Sequence, residues 1–149
     1  MSKVVAGVAL ALCLSIVPAL AQSDADTNVA IDSNLGDHTL YRAAFDALQA
    51  AVAEDDRAAF AEWVNYPITV TVAGEEKSID DAEQFVVQYD DIVTDEISGA
   101  IADQTWAGLF VNYQGVMFGD GQVWMNGICT DDTCTSFDVK VITIQSTSN

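Results

Sequence analysis

The segment that decides the fold is residues 109–144, LFVNYQGVMFGDGQVWMNGICTDDTCTSFDVKVITI. It is rich in apolar and aromatic residues, and two turn signals interrupt it: Asp120-Gly121, and the stretch between Cys129 and Cys134. Strand-forming runs separated by such turns predict a meander of three antiparallel strands. A sheet of this size needs packing over a hydrophobic face, so the earlier part of the chain is expected to supply that cover.

Side chains that alternate along a strand point to opposite faces of the sheet. In the first predicted strand, one face receives Leu109, Val111, Tyr113 and Met117, and the other receives Phe110, Asn112, Gln114, Val116 and Phe118. In the next strand, Trp124, Asn126 and Ile128 oppose Val123, Met125 and Cys129. Neither face is purely polar, so we expect helices on one face and, on the other, a second copy of the chain or partial cover at its edge. Gly115 and Gly127 are expected to bend the sheet.

The amino terminus has the pattern of an export signal. Lys3 precedes the apolar residues 4–17, and Ala19 and Ala21 are the small residues that a signal peptidase requires before its cut. We therefore predict a signal peptide over residues 1–21, a mature chain that begins near Gln22, and a periplasmic or secreted protein. The alternative is a membrane anchor, but the apolar run is shorter than the roughly 20 residues that a spanning helix needs.

Cys129 and Cys134 are the two cysteines that would remain after signal cleavage, because Cys13 lies in the leader. An even number of cysteines in an exported chain predicts a disulfide. The alternative, a metal site, lacks a neighbouring His to complete the ligand set. The sequence thus predicts the disulfide and indicates neither a metal nor a cofactor.

The formal net charge of -18 limits the partners. Nucleic acid and anionic membranes require clustered Lys or Arg, and the predicted mature chain holds only Arg42, Arg57, Lys77 and Lys140. We expect neither partner. The acidic residues are dispersed along the chain, which is typical of a solvated surface.

Along the chain, residues 22–36 are polar and are expected to form a flexible segment, and residues 37–145 are expected to form a single α+β domain. Helical periodicity begins at Asp37, which can cap the first helix, and Asp56 can cap a second. Residues 68–72 alternate β-branched side chains and predict a strand. Residues 78–89 return to helical spacing, and a further short helix is expected after Thr94.

The order helix, helix, strand, helix, short helix and three long strands resembles the nuclear-transport-factor-two-like superfamily, which includes ketosteroid isomerase and scytalone dehydratase. The words FVVQYDDI (residues 85–92), LFVNYQG (residues 109–115) and GDGQVW (residues 119–124), with Tyr66-Pro67, are similar to those of small exported bacterial proteins. The resemblance covers about residues 38–144. It implies a cone-like α+β fold, in which N-terminal helices pack on a curved antiparallel sheet and leave a pocket, and it implies no reaction.

Enzymes of this cone type use a carboxylate or His in an apolar pocket, where desolvation raises the carboxylate's pKa. Ketosteroid isomerases carry an Asp on an early strand, but residues 67–72 contain none. His38 lies beside Asp37 at a predicted helix start and is expected to be a capping neighbour. The enzyme hypothesis, an isomerase, dehydratase or hydrolase, therefore depends on Asp90 or Asp91 with Tyr66 or Tyr89.

The favoured hypothesis is an exported, non-enzymatic module that binds a small ligand or a protein partner. Aromatic rings beside amide side chains suit a small neutral or weakly polar ligand. The candidate ligand-binding residues are Trp63, Tyr66, Asn112, Gln114, Trp124 and Asn126. The expected partners are a small molecule and a second copy of the chain through the open sheet face.

Overall fold

The computed structural model describes residues 21–147. The predicted signal peptide therefore lies outside the described residues, except for Ala21. The helices are α1 (Asp24–Asn34), α2 (His38–Ala53), α3 (Arg57–Glu62), α4 (Ala82–Val87), α5 (Tyr89–Ile92) and α6 (Asp95–Asp103), with a 3-10 turn at Trp106–Gly108. The strands are β1 (Ile68–Val72), β2 (Glu75–Ile79), β3 (Phe110–Asn112), β4 (Gly115–Phe118), β5 (Val123–Cys129) and β6 (Phe137–Ile144).

The predicted α+β class is confirmed. Strands β3, β4, β5 and β6 form an open antiparallel sheet in that order, and β1 and β2 form a separate hairpin. Helices α1, α2 and α6 pack against β3, β6 and β5 respectively. One hydrophobic core extends from Ile31 on α1 to Ile144 on β6, so the helices supply the cover that the sheet requires.

Helix α1 occupies most of the segment that was expected to be flexible. Ser23 caps it, because the Ser23 hydroxyl accepts from the Asp26 backbone N–H and the Asp26 carboxylate accepts from the Ser23 N–H. The buried Thr27 hydroxyl donates to the Trp106 carbonyl oxygen at 3.1 Å. The helix faces the core with only Thr27 and Ile31 fully buried, and such a narrow apolar face gives almost no periodic signal in the sequence.

Helices α2 and α3 confirm the sequence prediction, including their caps. The Asp37 carboxylate accepts from the Thr39 N–H at 2.8 Å, and the Asp56 carboxylate accepts from the Ala59 N–H at 2.9 Å. Each carboxylate satisfies a backbone donor that has no partner inside the first helical turn. Strand β1 is also found where it was predicted.

The helix predicted over residues 78–89 is wrong at its start. Residues 75–79 instead form β2, which pairs with β1 from Ile68 opposite Ile79 to Val72 opposite Glu75. Helical structure begins at Ala82, where Asp81 provides the cap, and is divided into α4 and α5. Four of the five β2 side chains are exposed, so the strand lacks the apolar alternation that would have revealed it.

The first long strand of the predicted meander is divided into two. Tyr113 and Gln114 form a turn between β3 and β4, with Asn112 opposite Gly115. The Asn112 side-chain oxygen accepts from the Gln114 N–H at 2.8 Å, which stabilises the turn. Gly115 has a φ of 134°, and a Cβ there would collide with the Met125 carbonyl oxygen, so only glycine fits.

This turn changes the predicted division of side chains between the two faces. Val111 lies opposite Val116, and Phe110 lies opposite Met117, whereas an unbroken strand would put Val111 and Met117 together. The predicted alternation in β5 holds, because Val123 and Met125 are buried and Trp124 is not. The expected bend at Gly127 is replaced by an irregularity between Trp124 and Met125, while Gly127 makes room for the Phe137 ring.

The predicted disulfide between Cys129 and Cys134 is confirmed. It closes the loop between β5 and β6. Within residues 21–147, no helix has the length and hydropathy needed to cross a membrane.

Candidate functional site

The sheet presents two rows of side chains, one on each face. Cross-strand pairing aligns Val111, Val116, Met125 and Val141 in the row that faces the helices, here called the inner row. The same pairing aligns Phe110, Met117, Trp124 and Thr143 on the opposite face, here called the outer row. In the inner row Val116, Met125 and Val141 are fully buried. In the outer row Phe110 is 52% exposed and Met117, Trp124 and Thr143 are half-buried, so this row is only partly covered.

A shallow groove of about 310 Å³ runs beside Trp124 on the outer row. Its described lining residues are Gln114, Trp124, Ile142, Thr143 and Gln145, and all five are uncharged. Ile142 has no partner in the pairing of β5 with β6, which passes from Val141 to Thr143. The Phe110 ring meets the Trp124 ring edge to face, with centroids 6.3 Å apart, a favourable aromatic arrangement.

Amide side chains connect this groove to the interior. The Asn126 side chain donates to the Gln114 carbonyl oxygen at 3.2 Å. Its oxygen accepts from the buried Tyr41 hydroxyl at 3.1 Å, and that hydroxyl in turn accepts from the Gly127 N–H at 2.9 Å. The Asn112 side-chain oxygen accepts from the Gln114 backbone N–H, so both amide side chains hydrogen-bond to the Gln114 backbone. Of the six candidate ligand-binding residues, Gln114 and Trp124 thus line the groove, and Asn112 and Asn126 hydrogen-bond to the Gln114 backbone.

Trp63 and Tyr66 do not join them. Trp63 lines a separate groove of about 270 Å³ with Leu40 and Phe137, and the Lys140 ammonium lies 6.0 Å from its ring centroid. The Tyr66 hydroxyl donates to the Ala61 carbonyl oxygen at 3.0 Å. Burial, with a smaller effect of Asp81, raises the pKa of Tyr66 well above its usual range, so at neutral pH this hydroxyl is a protonated donor within the fold.

The candidate catalytic carboxylates lie on the surface. Asp90 has 74% of its side chain exposed and accepts from the Arg57 guanidinium at 2.8 Å. Asp91 is exposed as well. Tyr89 is buried and packs against Phe60 and Phe85. Burial raises its pKa. Acid–base chemistry of the predicted kind requires a desolvated carboxylate beside a tyrosine hydroxyl, and this geometry provides a solvated carboxylate instead.

His38 takes part in an exposed cluster with Asp32 and Asp37, whose ligand atoms lie within 4.8 Å of one another. The Asp32 carboxylate accepts from the His38 backbone N–H at 2.9 Å and lies 2.8 Å from its Nδ1. These contacts lower the pKa of Asp32. The Asp37 carboxylate accepts hydrogen bonds from the Thr39 backbone N–H and hydroxyl. The positive end of the α2 dipole disfavours a cation here, so the cluster is a helix cap with a hydrogen-bonded contact between His38 and Asp32.

Asp131 organises the disulfide loop. Its carboxylate accepts hydrogen bonds from the backbone N–H groups and hydroxyls of Thr133, Thr135 and Ser136. These bonds, with the Thr133 hydroxyl first, hold the pKa of Asp131 far below its usual range. The Asp131 carboxylate thus serves to hold the loop between β5 and β6.

Another surface groove, of about 430 Å³, lies between α1 and β3 and is lined by residues such as Gln22, Asp26 and Phe110. Ala21 also lines this groove, and the Asp26 carboxylate gives it a negative charge. None of the candidate ligand-binding residues lines it.

Sequence reasoning missed Ile142, Thr143 and Gln145, which line the groove at Trp124. Regular pairing of β5 with β6, counted outward from the disulfide loop, would have placed Ile142 opposite Trp124. The irregularity between Trp124 and Met125 puts Thr143 there instead, and no local sequence signal marks that irregularity. No protein-family model, curated protein or solved structure matches this chain.

Proposed function

We propose that this protein is an exported, non-enzymatic module that binds a small neutral ligand in the groove at Trp124. The observation that carries the proposal is the uncharged groove beside a partly exposed apolar row, on a chain whose formal net charge is -18. A solvated acidic surface keeps such a chain soluble. Contiguous exposed apolar patches rimmed by polar residues are typical of ligand-binding grooves and interaction sites.

Export and family membership belong to the same proposal. The disulfide suits an oxidising compartment, which agrees with the signal peptide expected over residues 1–21. The open antiparallel sheet packed by helices agrees with the nuclear-transport-factor-two-like superfamily, although a shared fold would not define the function.

Ligand-detected amide shifts test the proposal. ¹⁵N-labelled protein, purified after export, is titrated with neutral, anionic and cationic small molecules while its backbone and side-chain amides are followed by NMR. We expect neutral compounds to shift Gln114, Trp124, Thr143 and Gln145, and expect Trp124→Ala to abolish those shifts. The exposed Val87 of α4 offers a control, Val87→Ala, which should leave them unchanged. Shifts confined to the helical side, or no shifts, would refute this function.

A homodimer through the outer row is a second candidate. It is favoured by the exposure of Phe110 and of the neighbouring Tyr113, which is 78% exposed. A twofold contact would bring two uncharged surfaces together and would hide the groove. Sedimentation analysis of the protein and of Phe110→Glu decides it: a dimer that becomes a monomer in the variant supports this candidate, and a monomer in both removes it.

A further inference from the structure

The groove at Trp124 combines an aromatic surface with several neutral hydrogen-bonding groups. Trp124 is half-buried on β5, and its orientation is fixed by the edge-to-face contact with Phe110. An indole held in this way offers a rigid apolar surface at little conformational cost. Ile142 extends the apolar part of the lining.

The polar groups of the groove can both donate and accept. Within residues 21–147, the Gln114 side-chain amide and the Thr143 hydroxyl make no hydrogen bond to the protein. The Gln145 side-chain nitrogen donates to the Gly121 carbonyl oxygen at 3.0 Å, so its oxygen is the atom left to accept. An amide supplies two donors and an acceptor, and a hydroxyl supplies one donor and two lone pairs.

These groups restrict the chemistry of the ligand. A purely hydrocarbon ligand would desolvate the amides and the hydroxyl without giving them partners, which is costly. An anion would be opposed by the net charge of -18 and would find no cationic side chain among the described lining residues. A cation would find no carboxylate there. The ligand that fits has a flat C–H face for the indole and neutral hydroxyls at its edges.

Taking the proposed ligand-binding function as its basis, we infer that the groove binds a neutral hexopyranose, with a C–H face of the sugar ring on Trp124 and its hydroxyls on Gln114, Thr143 and Gln145. The groove volume of about 310 Å³ is at the lower end for ligand sites, which suits one or two sugar rings. The binding is shallow and open, so the affinity is expected in the millimolar range, about -4 kcal/mol.

The inference is tested by NMR titration of the exported protein with three groups of probes. The first group comprises the methyl glycosides of glucose, galactose, mannose and N-acetylglucosamine. Glucuronic acid is the charged analogue, and cyclohexanol is a six-membered ring without the sugar's set of hydroxyls. We expect at least one methyl glycoside to shift the Trp124 indole N–H and the Gln114 side-chain amide saturably, with glucuronic acid and cyclohexanol about tenfold weaker or worse.

Variants separate stacking from hydrogen bonding. Trp124→Ala should abolish the shifts, Trp124→Phe should retain part of the binding, and Gln114→Leu should weaken it about tenfold, as expected for one lost hydrogen bond. Val87→Ala is the control. If cyclohexanol binds at Trp124 and no glycoside does, the sugar inference fails while the neutral-ligand function survives. If no neutral compound shifts these residues, whether or not an anion or a cation does, both fail.

Discussion

The two faces of the four-stranded sheet are built from the same strands but meet different surroundings. The inner row of Val111, Val116, Met125 and Val141 lies against the helices, whereas the outer row of Phe110, Met117, Trp124 and Thr143 has no such cover among the described residues. Burial gives the inner row its contribution to stability, at about 25 cal/mol per Å² of apolar surface. The outer row is less buried and gains less from folding, and the ligand binding proposed above would account for its apolar character.

A matched pair of phenylalanines tests this difference most directly, and it has the largest expected effect. Phe118 is fully buried and stacks on Phe45 with ring centroids 5.4 Å apart. We expect Phe118→Ala to lower the free energy of unfolding by about 3–5 kcal/mol, because it leaves a cavity in the core. Urea denaturation followed by circular dichroism measures the change.

Phe110→Ala is the substitution on the outer face that is matched to Phe118→Ala. Phe110 is 52% exposed, and we expect a loss below about 1 kcal/mol, with a clear effect on ligand-induced shifts at Trp124. Equal losses in the two variants would show that the outer row is structural, and the comparison between the faces would then be wrong.

The disulfide should matter to stability and not to the groove. Cys129 and Cys134 are five residues apart, and closing so short a loop contributes about 2 kcal/mol in the chain-entropy model. The double variant Cys129→Ser with Cys134→Ser should lose this amount in urea denaturation and keep the amide resonances of Gln114 and Trp124. A change in the chemical shifts of these two amides would show that the disulfide loop also affects the structure of the outer face.

Tyr41 links the two faces through Asn126. Tyr41→Phe removes the hydroxyl that bonds to Gly127 and Asn126, and we expect a loss of about 1 kcal/mol together with a shift of the Gln114 amide. Tyr66→Phe is a matched control, because it also removes one hydroxyl hydrogen bond, to Ala61, but Tyr66 does not line the groove at Trp124. If neither variant shifts the Gln114 amide resonance, Asn126 does not carry the effect of the lost Tyr41 hydroxyl to the groove.

The smallest effect is expected from Asp131→Asn, which should slightly lower Tm at neutral pH. The pKa of Asp131 is lowered in the folded state by its hydrogen bonds, so its stabilisation is present above the unfolded pKa of about 3.9. It is lost only as the pH falls through the lower, folded pKa. The Tm difference between the two proteins should thus persist from pH 7 to about pH 4 and diminish in stronger acid. A difference that vanishes above pH 5 would contradict this assignment.

Local signals account for the elements that the sequence predicts. Asp37 and Asp56 are caps, and the β-branched alternation of β1 needs no tertiary information. Helix α1 and strand β2 depend on contacts that sequence spacing does not reveal: Thr27 with Trp106 across 79 residues, and the pairing of β2 with β1. The Tyr113-Gln114 turn was marked only by the residues on either side of it, Asn112 and Gly115.

The candidate site was likewise predictable only where residue type alone was informative, and not where it depends on tertiary contacts. Gln114 and Trp124 were predicted because aromatic rings beside amide side chains suit a small neutral or weakly polar ligand. Trp63 and Tyr66 were grouped with them on residue type, but residue type does not specify position, and both lie at the end of α3. The β6 contribution required the pairing register, which includes an unpaired Ile142.

Both ends of the described chain are fastened, and this affects how the protein would resist proteases. At one end Ser23 and Asp26 close a cap, and at the other the Glu96 carboxylate of α6 accepts from the Ser146 hydroxyl at 2.6 Å and from the Thr147 N–H at 2.7 Å. Exopeptidases act on frayed ends, so trimming should slow where these contacts begin. Endoproteases would then find accessible bonds at exposed turns such as the β1–β2 turn around Gly74, whereas the exposed β5–β6 loop is held by its disulfide and by Asp131.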